Sequence, residues 1–218
     1  AGKNVFSEKP MSLWLPECDA MVAAAEANQK MLMVGHVLPF FPEYAYARQA
    51  IESGEYGKLL GGRFLRMISD PQWLTGFYDP KKIGGPMLDL HVHDAHLIRM
   101  LFGKPNEVIS CGRTQGEVAK YWNSIFRFDD PNICVSATSG VIDQQGRTFT
   151  HGFELHLERA TMHFELAVLE NGIESMPLKL MTPDGKIIRP ELPAGDDLAG
   201  FEAELREMKR SIESGKAS

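Results

Sequence analysis

The sequence predicts an α/β (α+β) chain that joins the end of a parallel α/β domain to a domain with a large, mostly antiparallel open sheet and helices on one face. Residues 1–36 follow the order strand, helix, strand, which is the βαβ pattern of parallel sheets. From residue 58 onward, several segments alternate apolar with polar residues and are separated by turn residues, as antiparallel strands are. The character of the sequence changes near His36, so we expect two units, 1–36 and 37–218.

The first unit lacks neighbours for its strands. Residues 3–7 predict a short strand, 15–28 a helix with Pro16 in its first turn, and the apolar run 30–35 a strand buried on both faces. Two such strands do not make a stable sheet by themselves. The chain also opens AGKNVFSEKP, without Met and almost directly in a strand. We therefore expect a truncated chain that lacks the preceding strands.

The second unit begins with a helix from Pro42 that Gly54 closes. Six strands are predicted after it, at 58–69, 107–114, 120–129, 132–142, 149–158 and 160–170. The pair Gly61-Gly62 inside the first of them predicts a β-bulge. A last helix is predicted from Asp197 to Ser214, and we expect its apolar side to face the core: Leu198, Phe201, Leu205, Met208 and Ile212.

Composition argues against several classes of partner. With 218 residues, a net charge of −6 and a pI near 5.7, the chain is unsuited to nucleic acid or anionic membrane as its main partner. It has neither a signal-peptide pattern nor an apolar run long enough to span a bilayer. Its cysteines, Cys18, Cys111 and Cys134, are too far apart for a CxxC metal site and suit a reducing compartment. We expect a cytoplasmic globular protein.

The stretch GGPMLDLHVHDAHLIRMLFG, residues 84–103, places acidic and histidine side chains in an apolar segment. Pro86 suits a first helical turn and Gly103 a helix end, so one helix is predicted over 86–102. At 100° per residue, four side chains fall within about 60° of one another on an otherwise apolar helix, whereas His91 and Asp94 point elsewhere. The four are Asp89, His93, His96 and Met100. Two glycines at the mouth of this helix would let a ligand approach closely.

The residues alone leave three interpretations of this helix open. Asp89 and His93 could form a structural pair, an acid–base site, or part of a metal site. The two histidines of HxH point about 160° apart on a helix, so a metal site would have to use Asp89, His93 and His96. We favour the interpretations without a metal.

Lys9 is a second candidate, because it stands where a presumed parallel strand ends. Ligands of open α/β sheets bind outside the carboxyl ends of the strands. Pro10 restricts Lys9 to an extended backbone or allows a cis bond. An ordinary surface lysine near a turn would look the same in sequence. The chain contains no GxGxxG, GxxxxGK[ST] or GxSxG motif.

Taken in order, five motifs resemble the Gfo/Idh/MocA oxidoreductase family: EKP (8–10), MLMVGH (31–36), FFPEY (40–44), IESGEYGKL (51–59) and GGPMLDLHVHD (84–94). The resemblance is close over 1–103 and looser to the end, where FEAELREMKRSIESGK is typical of the family. It implies that 1–36 is the remnant of a Rossmann dinucleotide-binding domain and 37–218 a substrate-binding and oligomerisation domain. The cofactor implied is NAD or NADP.

The resemblance also assigns roles to residues. Lys9, Asp89 and His93 would be catalytic: His93 would accept or donate the proton, Asp89 would orient the substrate, and Lys9 would polarise its oxygen. Cofactor contacts are implied for Glu8, Lys9, Pro10 and His36. Trp73, Tyr78 and His96 could line the substrate pocket or have structural roles. Many relatives carry Arg before the aromatic residue that follows VGHVL, whereas this chain has Pro39.

The implied activity is hydride transfer between NAD(P) and a sugar, polyol or related hydroxy compound. Because the phosphate-binding loop is absent, the chain alone should be inactive. Through its open sheet we expect a homodimer or homotetramer. Two alternatives stay open: a non-catalytic assembly module that dimerises through this sheet, and a metal-dependent lyase or isomerase.

Overall fold

The computed structural model describes residues 2–193 and 198–216. Its first elements are strand β1 (Val5–Glu8), helix α1 (Leu15–Ala27) and strand β2 (Leu32–Gly35). The two strands pair in parallel, with Glu8 beside Gly35 at their carboxyl ends. The predicted βαβ unit is therefore confirmed. Helix α1 has no buried residue.

A 3-10 helix (Leu38–Phe40) and helix α2 (Pro42–Glu52) lead into a large sheet. The strands are β3 (Leu59–Ser69), β4 (Glu107–Gln115), β5 (Val118–Arg127), β6 (Cys134–Ile142), β7 (Arg147–Leu157), β8 (Thr161–Leu169), β9 (Gly172–Met181) and β10 (Ile187–Ile188). Within the described residues their order is β10-β9-β8-β7-β3-β6-β5-β4, and only β3 and β6 pair in parallel. The large, mostly antiparallel sheet is confirmed, as is the bulge at Gly61, where the register with β7 shifts.

The core lies on the inner face of this sheet. Phe64 of β3, Phe153 of β7 and Phe164 of β8 are register partners and are all buried. Tyr44 of α2 packs edge-on against Phe153 and Phe164 and thereby holds that helix on the sheet. Burial of each such side chain contributes roughly 1.5–3 kcal/mol. No helix in the described ranges is both long and apolar enough to span a bilayer.

The single helix expected over 86–102 is wrong in one respect, because the structure divides it. Helix α3 covers Pro86–Asp89 and helix α4 covers His91–Phe102, with Leu90 between them at φ −104° and ψ −57°. The Asp89 carbonyl accepts a hydrogen bond from Lys9 Nζ at 2.8 Å, and the His93 N–H turns to the Leu90 carbonyl at 3.2 Å. The series of helical backbone hydrogen bonds is therefore interrupted by a lysine that lies far away in sequence.

The expectation for the last helix is also corrected. Helix α5 covers Ala199–Ser214, and the expected start at Asp197 lies outside the described residues. Of the expected apolar side, Met208 is buried, whereas Leu198, Phe201, Leu205 and Ile212 are exposed. The helix instead buries Gly200, Glu204, Met208 and Ser211. Gly200 explains this choice: a Cβ there would lie 2.7 Å from the Phe41 ring, so only glycine permits so close an approach.

Candidate functional site

Lys9 and Asp89 meet at the carboxyl end of β1. The Lys9 ammonium donates to the Asp89 carboxylate Oδ1 at 3.0 Å and to the Asp89 carbonyl at 2.8 Å. The Lys9–Pro10 peptide bond is cis, which is one of the two conformations that the sequence allowed. The two side chains are 19% and 32% exposed, so a ligand can still reach them.

Gly85 allows the chain to turn into α3 beside the Lys9–Asp89 contact. It precedes α3 with φ +71°, a region that side chains disfavour, and a Cβ there would collide with Cγ1 of Val118. The glycine pair at the mouth of the helix is therefore required first by the backbone and its packing.

His93 occupies the first turn of α4 with a buried Nδ1 that has no hydrogen-bond partner in the described residues. Burial, followed by the positive charges of Arg66 and Lys9, lowers the pKa of His93 to about 2. The imidazole is therefore neutral at pH 7 and has a lone pair that can accept a proton. A buried polar atom without a partner is costly, so its presence points to a ligand or water as its partner.

His36 and His96 form a pair of their own. Their rings stack with centroids 4.0 Å apart and planes within 4°. Desolvation, then the nearby His96 and Lys9, lowers the pKa of His36 to about 4, and burial lowers the pKa of His96. Both rings line a cleft of about 730 Å³ between β2, α2, α4 and α5, and Lys9, Asp89 and His93 are not part of its lining.

Trp73 and Tyr78 lie on the long loop between β3 and α3. Trp73 is 82% exposed and makes no hydrogen bond or ring contact with the rest of the described chain. The Tyr78 hydroxyl donates to Asp70 Oδ1 at 3.2 Å, and the Lys120 ammonium lies 5.5 Å from its ring. Burial and then Asp70 raise the pKa of Tyr78. The Tyr78 hydroxyl thus already has a hydrogen-bond partner, Asp70, at the start of the same loop.

Sequence reasoning missed a buried polar group behind His93. Arg66 of β3 donates two hydrogen bonds to the Asp94 carboxylate, at 2.8 and 3.0 Å, and His91 Nδ1 lies 3.0 Å from Ser139 Oγ. These contacts show where His91 and Asp94 point. One signal could have found them: strand alternation puts Arg66 on the same inward face as Phe64.

The residues present fit one end of a dinucleotide. Lys9 stands at the carboxyl end of parallel strands, and the unpartnered His93 of α4 is near enough for the charge of Lys9 to lower its pKa, which suits the reactive nicotinamide. The sequence has no glycine-rich loop for the phosphates. In the part of the chain that the structure describes, no three His, Cys, Asp or Glu side chains are grouped to hold a metal ion.

Two family models match the chain. One, described as the GFO/IDH/MocA C-terminal domain, matches residues 44–163. The other, described as an oxidoreductase family with an NAD-binding Rossmann fold, matches residues 1–36. Together they include Lys9, which follows β1, and the helices that carry Asp89 and His93.

Two curated proteins and one solved structure illustrate the similarity. A 2,7-anhydro-N-acetylneuraminate hydratase from Mediterraneibacter gnavus is 29% identical over 65% of this chain and 44% of its own length. A 1,5-anhydro-D-fructose reductase from Ensifer adhaerens is 31% identical over 72% of this chain and 48% of its own. This chain therefore spans just under half the length of either relative. An aldose-aldose oxidoreductase from Caulobacter crescentus, solved with glycerol, has the same fold, with a TM-score of 0.79, 20% identity, and coverage of 99% of this chain and 63% of its own.

Proposed function

Because this chain belongs to the GFO/IDH/MocA oxidoreductase family, we propose that it carries the catalytic groups of an NAD(P)-dependent oxidoreductase. The reaction is hydride transfer between the nicotinamide and a CH–OH group of a sugar, polyol or related hydroxy compound. The observation that carries this proposal is the contact of Lys9 with Asp89 beside the neutral, unpartnered His93. Since the relatives are about twice as long, the activity is assigned to a protein that also holds the phosphate-binding part of the dinucleotide fold.

Each catalytic side chain has a role that follows from its surroundings. When bound, NAD(P) supplies the hydride acceptor or donor. The Lys9 ammonium stabilises negative charge on the substrate oxygen, and Asp89 holds Lys9 and orients the hydroxyl. Neutral His93 accepts the hydroxyl proton in oxidation and returns it in reduction. A negatively charged oxygen beside His93 raises its pKa from the depressed value and brings it closer to the working range.

The remaining assignments are proposals of the same kind. Glu8, Pro10 and His36 lie at or next to the carboxyl ends of β1 and β2, which supports cofactor contacts for them. The exposed indole of Trp73 is free to stack on a sugar ring. For Tyr78 and His96 the proposed substrate contact would add to contacts that each already makes with Asp70 or His36.

The domain division and cellular location are proposed together. We assign 1–36 to the Rossmann unit and 37–218 to the substrate-binding and oligomerisation unit, which the separate matches at 1–36 and 44–163 support. Free Cys18, Cys111 and Cys134 support a reducing, cytoplasmic location.

The test uses the protein as its source cell produces it. NAD(P) reduction is followed by absorbance with a panel of sugars and polyols, and the Lys9→Met and His93→Ala variants are compared on the substrate found. Each variant is expected to lower kcat by roughly 10²–10⁴-fold, the usual worth of a proton-transfer or oxyanion-stabilising group. The exposed His156→Ala variant is the control. Full turnover by His93→Ala would show that the base is wrongly assigned.

A second role is favoured by the outer face of the sheet. Ile109 of β4 and Ile125 of β5 are register partners there, and each is about half exposed (49% and 52%). Exposed β-branched pairs on an open sheet suit contact with a second copy, so we propose a homo-oligomer through this face. Light scattering over a concentration series is expected to show dimers or tetramers that Ile125→Glu dissociates and that Val22→Glu on α1 does not. A monomer at every concentration would contradict it.

A further inference from the structure

Three neighbouring strands carry a polar side chain at one level of the inner face. Ser139 of β6 and His151 of β7 are both register partners of Arg66 in β3. Two residues along the strands, on the same face of the sheet, the neighbouring positions are mostly apolar and include Phe64 and Phe153. A row of three polar residues in such a core needs an explanation, because buried polar groups cost free energy unless they are paired.

Each member of this polar row, Ser139–Arg66–His151, contacts a helix residue, and Arg66 also interacts with the Tyr44 hydroxyl on α2. Ser139 contacts His91 and Arg66 contacts Asp94, both on α4. His151 Nδ1 lies 2.7 Å from the hydroxyl of Tyr44 on α2. The row therefore joins the sheet to two helices, and one of them carries His93.

The Arg66–Asp94 pair is the strongest of these links. The two side chains are 3% and 1% exposed, and the guanidinium binds the carboxylate through two nitrogens. The Arg66 guanidinium also lies 5.5 Å from the Phe149 ring. Apolar residues of similar size would often be as stable as such a pair, or more so, because both charges must lose their water. Stability alone therefore does not account for it.

Geometry supplies the missing reason. His91 and Asp94 are three positions apart, so they lie on one side of α4 and are tied to adjacent strands. Two directional links fix the rotation of a helix about its axis, whereas apolar packing has no direction. His93 is one position from Asp94, about 100° around the helix, so the direction of its ring follows from that rotation.

The charge of Arg66 also acts on His93. The positive groups that bear on His93 are Lys9 at the end of β1 and Arg66 from β3, and the neighbouring imidazoles are His36 after β2 and His96 on α4. Asp89 lies beside Lys9 and balances it locally. After burial itself, Arg66 is the largest influence that lowers the pKa of His93.

We propose that Arg66 is a positioning residue for His93: through Asp94 it fixes the rotation of α4 and with it the direction of the His93 ring. This inference rests on the proposed function for the role of His93, but the coupling between the two residues can be measured without it.

The test removes the pair while keeping the core filled. Either single variant would leave one charge buried alone, so the double variant Arg66→Met/Asp94→Leu is used in the full chain. Histidine Cε1–H signals of the labelled, unliganded protein are followed by NMR from pH 8 to pH 5, with His93→Gln to assign the signal. In the unaltered protein the His93 signal is expected to stay constant over this range. In the double variant its chemical shift is expected to differ from that of the unaltered protein at every pH, because α4 loses a directional link and the ring meets different neighbours.

A matched control removes a similar pair from the same strand. Arg63 and Glu154 pair at 3.4 Å on the opposite face of the sheet. Arg63→Met/Glu154→Leu is expected to leave the His93 signal unchanged. A His93 chemical shift that the Arg66 double variant also leaves unchanged would overturn the proposed positioning.

Arg66→Lys separates position from charge and does not depend on the double variant folding. Lysine keeps the charge but lacks the planar fork that binds both carboxylate oxygens. We expect a shifted His93 signal, with kcat lowered at least tenfold and KM little changed. Full kcat would overturn the positioning role. If His93→Ala is fully active while the NMR coupling is present, the proposed function fails and the coupling stands.

Discussion

One backbone carbonyl shapes the candidate site. The Asp89 carbonyl accepts its hydrogen bond from Lys9 instead of from His93, four residues further along the helix. This contact both ends α3 and fixes the ammonium beside the Asp89 carboxylate. The interruption of the helix and the Lys9–Asp89 contact of the candidate site thus have the same cause.

Gly85 allows a test at a single residue. Gly85 and Gly103 have nearly the same backbone conformation, with φ +71° and ψ −168° against φ +86° and ψ −167°. Only at Gly85 would a methyl group collide with a neighbour, Val118. Gly103→Ala is expected to cost about 1–3 kcal/mol of unfolding free energy through backbone strain, and Gly85→Ala about 1–3 kcal/mol more through the collision. Urea denaturation of both variants checks the difference, and equal losses would contradict the packing argument.

How far single residues could be predicted depends on where their partners lie. Lys9, Asp89 and His93 could be singled out from local patterns, and the structure joins Lys9 to Asp89. The interruption at Leu90 could not be predicted, because it is caused by Lys9, which lies 80 positions from its partner Asp89. Arg66 was accessible through strand alternation, but its partner Asp94 required the tertiary fold.

Among the elements, α5 shows how one buried acid can report on helix docking. Glu204 is 2% exposed, and its Oε1 has no partner in the described residues. Burial and then the neighbouring Glu8 raise the pKa of Glu204 to about 7. Its neutral form is therefore the one that the folded protein favours, and stability is lost as the pH rises from the ordinary range of a carboxyl group through about 7.

Glu204→Gln is expected to remove this loss, because the amide cannot ionise. At pH 8 the variant should be more stable than the unaltered protein by about 1–2 kcal/mol, and at pH 4 the two should be nearly equal. Thermal or urea unfolding at the two pH values measures it. Glu202→Gln, on the exposed side of the same helix, should change neither value. A gain at pH 8 that is no larger than the difference at pH 4 would count against a buried acid.

Element positions were largely predictable because periodicity is a local property. The strands and helices that were expected from 3–7 to 160–170 lie within two residues of the observed bounds, the divided helix apart. The buried side of α5 was not predictable from its apolar side, because Gly200 selects it by close approach to Phe41. Strand β9 was missed, since its residues are mostly exposed and carry little alternation.

For the molecule as a whole, neutral buried histidines predict a loss of stability in acid. Burial is the main cause that lowers the pKa of six histidines: His36, His91, His93, His96, His151 and His163. Below pH 6.5 the unfolded chain binds protons at these positions and the folded chain does not. The free energy of unfolding should therefore fall as the pH falls from about 6.5 to 4, by at most about 1.4 kcal/mol per pH unit for each histidine. Glu204 has the opposite effect, because there the folded state binds one proton more readily than the unfolded chain does.

Removing one such histidine together with its partner should reduce the slope of the unfolding free energy against pH. The pKa of His151 is lowered to about 3 by burial and then by Arg66, and its partner is the Tyr44 hydroxyl. Tyr44→Phe/His151→Phe removes both polar groups, so neither is left unpaired. Denaturation curves measured between pH 7 and pH 4.5 should show that the difference in bound protons between the unfolded and folded states is smaller by about one. The variant of an exposed histidine, His156→Gln, should not alter this difference. An unchanged slope in the double variant would exclude His151 as a source.

The position of β3 at the centre of the sheet has a consequence for how the chain is made. Its residues pair with β6, whose first partner is Cys134, and with β7, which follows later still. On a ribosome this apolar strand is complete roughly 3–13 s before its first partner has been synthesised. During that interval Phe64 and its neighbours have no strand to pair with, and unpaired apolar strands aggregate. Among the described strands, the one at the centre of the finished sheet thus waits longest for a partner during synthesis.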